Sequence, residues 1–147
     1  DYAYQRWRYE KQLMMTKNEL KDEYKRDEGN PEVRARQAQM RRSLARSRMM
    51  QAVPTADVVV TNPTHVAIAL RWSEKEMSAP TVVAKGQNLL AQRIVKVARE
   101  NGVPVVERRM LARALYETVE VGMEIPAKLY AAVAEVLAFV FRKGKRA

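Results

Sequence analysis

The sequence predicts an α/β domain: a small four-stranded mixed sheet surrounded by helices and preceded by a long exposed N-terminal helical linker. Three observations carry this expectation. Residues 1–53 hold almost no aliphatic clusters, whereas short apolar runs begin just after Asp57. Two of these, Val58-Val59-Val60 and Val66-Ala67-Ile68-Ala69-Leu70, are apolar at every position, as in strands covered on both faces. Strand-like and helix-like segments then alternate, and helices laid on a short sheet bury such faces naturally.

Taken in order, Thr16-Lys17-Asn18-Glu19 reads as a capping box that opens a helix, with a stop near Gly29. Asn30-Pro31 reads as an N-cap followed by proline at the first helical position. The helix from there to about Met50 carries Arg34, Arg36, Arg41, Arg42, Arg46 and Arg48 but only sparse apolar positions (Val33, Met40, Leu44). It can bury little, so most of it is expected in solvent. Pro54 ends it. The two apolar strands come next, separated by Asn62-Pro63-Thr64-His65. Thr81 to Ala84 is a third strand that ends at Gly86. Asn88 to Asn101 is a helix with Leu90, Ile94 and Val97 on one face and Gly102 as its stop. Val103 to Val106 is the fourth strand, and Leu111 to Val119 is a short helix closed by Gly122. Pro126 starts the last helix, whose stripe is Leu129, Val133, Val136 and Val140. The division is a juxtamembrane linker over 1–53 and a globular domain over 54–147, with strand and helix order β-β-β-α-β-α-α.

Composition narrows the function. The 147 residues include no cysteine and one histidine, His65, so a zinc site built from protein side chains is not expected. No apolar run approaches the roughly 18 residues of a membrane helix. The chain opens on Asp1, which suggests a piece of something longer. Its net charge is +10, from 27 basic and 17 acidic residues, and it is shared evenly along the chain. Such an excess suits nucleic acid, an anionic membrane surface or acidic partners. Nucleic acid is disfavoured, because no aromatic residue interleaves Arg34 to Arg48 to stack on bases. Enzymatic turnover is not expected either, since Ser43, Ser47, Ser73 and Ser78 have one histidine among them.

Asn62-Pro63 carries the distinctive chemistry. Proline has no backbone N–H, so attack by the following amide on the asparagine side chain is closed. The reverse attack is open: the Asn62 side-chain nitrogen can attack its own main-chain carbonyl. This closes a succinimide ring and expels the Pro63 nitrogen, with neither water nor cofactor. The step is intramolecular, so fixing the side chain supplies much of the acceleration. Histidine suits proton transfer near neutral pH, and His65 lies in the same turn. Thr64 helps by hydrogen bonding or by shaping the turn. Asn-Pro is also a common turn initiator, so these four residues alone leave an ordinary hairpin open.

The surrounding residues decide between the two. Val58 through Leu70, with Asn-Pro-Thr-His intact, resembles the self-cleavage site of the export-switch family of type III secretion, that of flagellar FlhB and the injectisome proteins YscU, SpaS and EscU. Leu20 to Pro31 resembles the segment that follows that family's membrane region. Leu111 to Tyr116 and Ile125 to Leu137 resemble its C-terminal half. Val66 to Leu70, Ala84-Lys85-Gly86 and Leu129 to Leu137 are similar to the flagellar branch rather than the injectisome branch.

This resemblance implies the cytosolic part of an inner-membrane protein with four preceding membrane helices. It implies a single cut after Asn62, with Pro63 leaving and Thr64 and His65 in support, and two fragments that stay together. Cutting would let export switch from rod and hook subunits to filament-type substrates. The implied partners are other flagellar export components, a hook-length control protein and export substrates, with anionic lipid available to the basic linker. Ala79, Pro80, Ala134 and Leu137 match positions of a small apolar patch that docks export signals. Alternatively, Ala134 and Leu137 are core residues of an amphipathic helix.

Overall fold

The computed structural model describes the backbone of residues 1–28 and 30–146, and the side chains outside 24–29 and 145–147. The expected helix stop at Gly29 lies outside the described residues. The chain divides into two compact units, Asp1–Leu44 and Ala45–Ala147.

In the first unit, α1 runs over Tyr2–Glu28 and α2 begins at Pro31, continuing to Ala52 in the second. The capping box expected at Thr16 does not open a helix. Thr16 lies in the interior of α1, where its hydroxyl donates to the Gln12 carbonyl four residues back (2.8 Å). No glycine or proline interrupts Tyr2 to Met15, so the helix has no reason to wait for Thr16. The cap expected at Asn30 is present: its side-chain oxygen accepts the Glu32 amide (3.2 Å), and its carbonyl accepts the Arg34 amide (3.0 Å). The described side chains of α1 are all exposed, including Tyr2, Trp7 and Met14, and α2 has no buried residue. These are the long exposed helices that apolar-poor sequence demands.

The second unit is built on the sheet order β3-β2-β1-β4. The strands are β1 (Val58–Asn62), β2 (Val66–Arg71), β3 (Thr81–Gln87) and β4 (Val105–Glu107). β1 pairs antiparallel with β2, β2 antiparallel with β3, and β1 parallel with β4, which makes the sheet mixed. Helices α3 (Leu89–Glu100), α4 (Arg109–Thr118) and α5 (Tyr130–Arg146) cover it.

The side-chain alternation of the strands sorts two cores. Val58, Val60, Ile68, Leu70 and Val82 pack with Leu111 and Leu115 of α4 and with Val133 and Val136 of α5. Val59, Ala67, Ala69 and Ala84 face Ala91, Ile94 and Ala98 of α3, with Val53 beneath them. Large side chains fill the first face and mostly small ones the second, so α3 can approach its face closely.

Several sequence expectations shift by a residue or more. β3 does not end at Gly86; it continues through it to Gln87. Gly86 serves this packing, because a Cβ there would lie 2.6 Å from Leu90 Cγ. The buried line of α3 is Ala91, Ile94 and Ala98, with Leu90 and Val97 half-buried beside it. β4 begins at Val105 rather than Val103. The Val103 amide is already used by the Ala98 carbonyl (2.8 Å), and Gly102 at φ 72° completes this left-handed helix end. The last helix starts later as well: Ala127–Leu129 is a 3-10 turn after Pro126, and Val133, Val136, Leu137 and Val140 are buried among the described residues of α5.

Candidate functional site

The β1–β2 hairpin brings the reactive turn to one end of the sheet. Asn62 and Val66 are its last register pair, and Pro63, Thr64 and His65 form the exposed loop between them. The His65 amide donates to the Asn62 carbonyl (3.0 Å), closing a four-residue β-turn. Proline at the second position and a positive φ at the third, 65° at Thr64, give this turn its type II signature. A β-branched residue rarely adopts that φ, and holding one there costs on the order of 1–3 kcal/mol. The rigid flanks enforce it.

Those flanks are tied on three sides. The buried Thr61 hydroxyl donates to the Val66 carbonyl (2.9 Å), bracing the hairpin just below the turn. The Arg108 amide donates to the Thr61 carbonyl (3.0 Å) and carries β4 into α4. The Asn88 amide donates to the His65 carbonyl (2.9 Å) from the end of β3. Asn62 itself is half-buried. A groove of about 730 Å³ beside it is lined by Asn62, His65, Gln87, Asn88, Arg113 and Tyr116 among others. Lys85 anchors its α4 wall, since Nζ donates to the Tyr116 carbonyl (3.0 Å) and lies 3.5 Å from Glu120.

The structure therefore places Asn62, Pro63, Thr64 and His65 in one turn. Thr61 and Asn88 were not singled out by sequence reasoning. A lone threonine ending a valine run was the only local hint of the first, and nothing local marked the second.

The other four candidate residues also come together, across 58 positions of sequence. Ala79, Pro80, Ala134 and Leu137 line a groove of about 380 Å³ with Trp72 and Phe141. The Ile125 amide donates to the Pro80 carbonyl (2.9 Å), and Ser78 bonds Glu124 (3.0 Å), so the segment before β3 is pinned to the approach to α5. The alternatives for the helix residues divide: Ala134 is exposed, whereas Leu137 is 5% exposed and belongs to the core while still edging the groove. Among the described residues no helix is long and apolar enough to cross a membrane.

Fold and turn together define a class, that of the solved cytoplasmic domains of type III export proteins. The structure is similar to the cytoplasmic domain of FlhB from Shewanella putrefaciens (TM-score 0.65, 44% identity, covering 69% of this chain and 79% of that one). It is also similar to a mutated C-terminal domain of EscU (TM-score 0.61, 30% identity, covering 63% and 92%). The chain belongs to the FlhB HrpN YscU SpaS family, whose model matches residues 1–140. Its relatives include flagellar biosynthetic protein FlhB of Aquifex aeolicus, 55% identical over 146 residues, and that of Escherichia coli, 51% identical over 142. The matched regions take in 99% and 97% of this chain but 42% and 37% of those proteins, so the chain spans about two fifths of their length.

Proposed function

We propose that this chain is the cytosolic part of a flagellar export component that cuts itself once, between Asn62 and Pro63, and thereby permits a change of export substrate. The supporting observation is the turn: the Asn62 carbonyl, which must receive the attack, already accepts the His65 amide at 3.0 Å. The Asn62 side-chain nitrogen adds to that carbonyl carbon and gives up a proton. Negative charge then develops on the carbonyl oxygen, where a fixed main-chain donor stabilises it. The C–N bond to Pro63 breaks, the proline nitrogen takes a proton, and residue 62 is left as a succinimide.

After the cut β1 and β2 remain paired through five register positions, from Val58↔Leu70 to Asn62↔Val66. The two fragments thus stay one particle. The test is the mass of the boiled protein beside its native size: two pieces and one particle are expected. An unbroken chain at neutral pH removes this reading.

His65→Ala is expected to slow the cut without abolishing it. The imidazole is lost, and general acid–base assistance of this kind contributes about 10²–10⁴-fold. The main-chain amide on the Asn62 carbonyl stays. Time courses of fragment appearance measure this, and an unchanged rate takes the imidazole out of the mechanism.

The apolar groove is the second part of the proposal. Ala79, Pro80, Ala134 and Leu137 accept a short apolar signal of an export substrate, with Trp72 and Phe141 as its walls. Ala134→Glu is expected to weaken capture of a labelled apolar signal peptide about tenfold, because a charge enters an apolar groove. Unchanged affinity places docking elsewhere. Rod and hook subunits, the hook-length control protein and other export components belong to the same proposal. So does a position at the inner membrane's cytoplasmic face, where the arginines of α2 meet anionic lipid. Vesicles containing anionic lipid retain the chain at low salt if this holds.

A further inference from the structure

Asn88 lies outside the Asn62–His65 turn and is hydrogen-bonded to it. Asn88 has φ 55° and ψ −120°, the values of the first central position of a type II′ turn, where glycine dominates. Two demands meet at this residue. Val66 pairs with Gln87, so Asn88 stands opposite His65 and adds one bond beyond the β2–β3 ladder, its amide to the His65 carbonyl (2.9 Å). The next residue, Leu89, is already helical, and the Asn88 carbonyl accepts the Gln92 amide (3.1 Å) at the start of α3. The chain must turn from strand to helix within one residue without releasing His65. With an ordinary negative φ the chain beyond that amide leaves in another direction, so the bond to His65 and the start of α3 are not both kept.

His65 is thereby held from both sides, its amide on the Asn62 carbonyl and its own carbonyl on Asn88. We propose that Asn88 is a positioning residue for the cut: its unusual backbone conformation fixes His65, and through it the donor that receives the developing charge on Asn62. This rests on the self-cleavage reading, and it concerns the main chain of Asn88 rather than its side-chain amide.

The experiment follows fragment appearance in freshly synthesised full chain, with the thermal midpoint measured alongside. Wild type must cut; if it does not, the self-cleavage reading fails and this inference falls with it. Asn88→Val, which resists positive φ, is expected to cut roughly tenfold to a hundredfold more slowly, as misplaced reacting groups do. Asn88→Ala is the milder variant, to be read if the valine variant does not fold. Asn88→Gly, which accepts the conformation and lacks the side chain, is expected to restore the wild-type rate. Val97→Ala, in α3 but away from the turn, lowers the midpoint and leaves the rate unchanged. The inference is overturned if Asn88→Val or Asn88→Ala cuts as fast as wild type. It is equally overturned if Asn88→Gly is as slow as they are, or if the Val97 variant slows in proportion to its loss of stability.

Discussion

Asn62→Ala is expected to stay one unbroken chain of 147 residues where wild type resolves, on boiling, into residues 1–62 and 63–147. The attacking nitrogen belongs to the same residue as the carbonyl it attacks, so its effective concentration, about 10⁵–10⁸ M in well-oriented intramolecular reactions, disappears with the side chain. No other group in the turn replaces it. In the proposed mechanism His65 supports proton movement and Thr64 shapes the loop, but neither carries a nitrogen that closes a five-membered ring on that carbonyl. The fold is expected to survive, because Asn62 is half-buried at the mouth of the hairpin and not in either core. Denaturing mass spectrometry reads the outcome directly. If the alanine variant is cut as efficiently as wild type, an outside protease makes the cut.

Ile68→Ala is expected to have the largest effect on stability. Ile68 is fully buried at the centre of β2, one of the two strands paired on both sides, and packs in the larger core with α4 and α5. Truncating such a residue removes its transfer free energy and leaves a cavity, costing about 2–5 kcal/mol. For a unit of this size the thermal midpoint falls by roughly 10 °C or more. The same substitution bears on function. Once the turn is cut, β1 and β2 belong to different fragments, and the buried sheet holds them together. A loss of that size weakens their association about thirtyfold to several-thousandfold. Cut Ile68→Ala protein should therefore release its fragments on dilution at concentrations where cut wild type does not. If it remains one particle over the same range, something other than the strand pairing holds the pieces.

Much of this molecule is written locally. Val58 to Val60 and Val66 to Leu70 announce doubly covered strands because every position must be apolar when both faces are buried. Asn30-Pro31 announces its helix start because both residues act on the first turn alone. The chemistry proposed for the turn is legible for the same reason, since the ring closure would involve one side chain, one carbonyl and a leaving proline, all contiguous. Its neighbours supplied the family likeness.

Where the sequence misled, a local pattern had no authority over its surroundings. Thr16 to Glu19 has the residues of a capping box, yet a helix already under way at Tyr2 simply passes through it. Gly86 reads as a stop, but it is where Leu90 needs room against the sheet.

The sequence by itself determined the two apolar strands, the helix start at Asn30-Pro31 and the chemistry to be expected of Asn62-Pro63, since each depends on residues within a turn or two of one another. Only the tertiary structure decided that β4 lies parallel to β1 at the sheet edge, that Ala79 and Pro80 share a groove with Ala134 and Leu137, and that Asn88 reaches His65. Those contacts join segments far apart in the chain, and their geometry depends on how two cores of unequal side-chain size press helices onto the sheet.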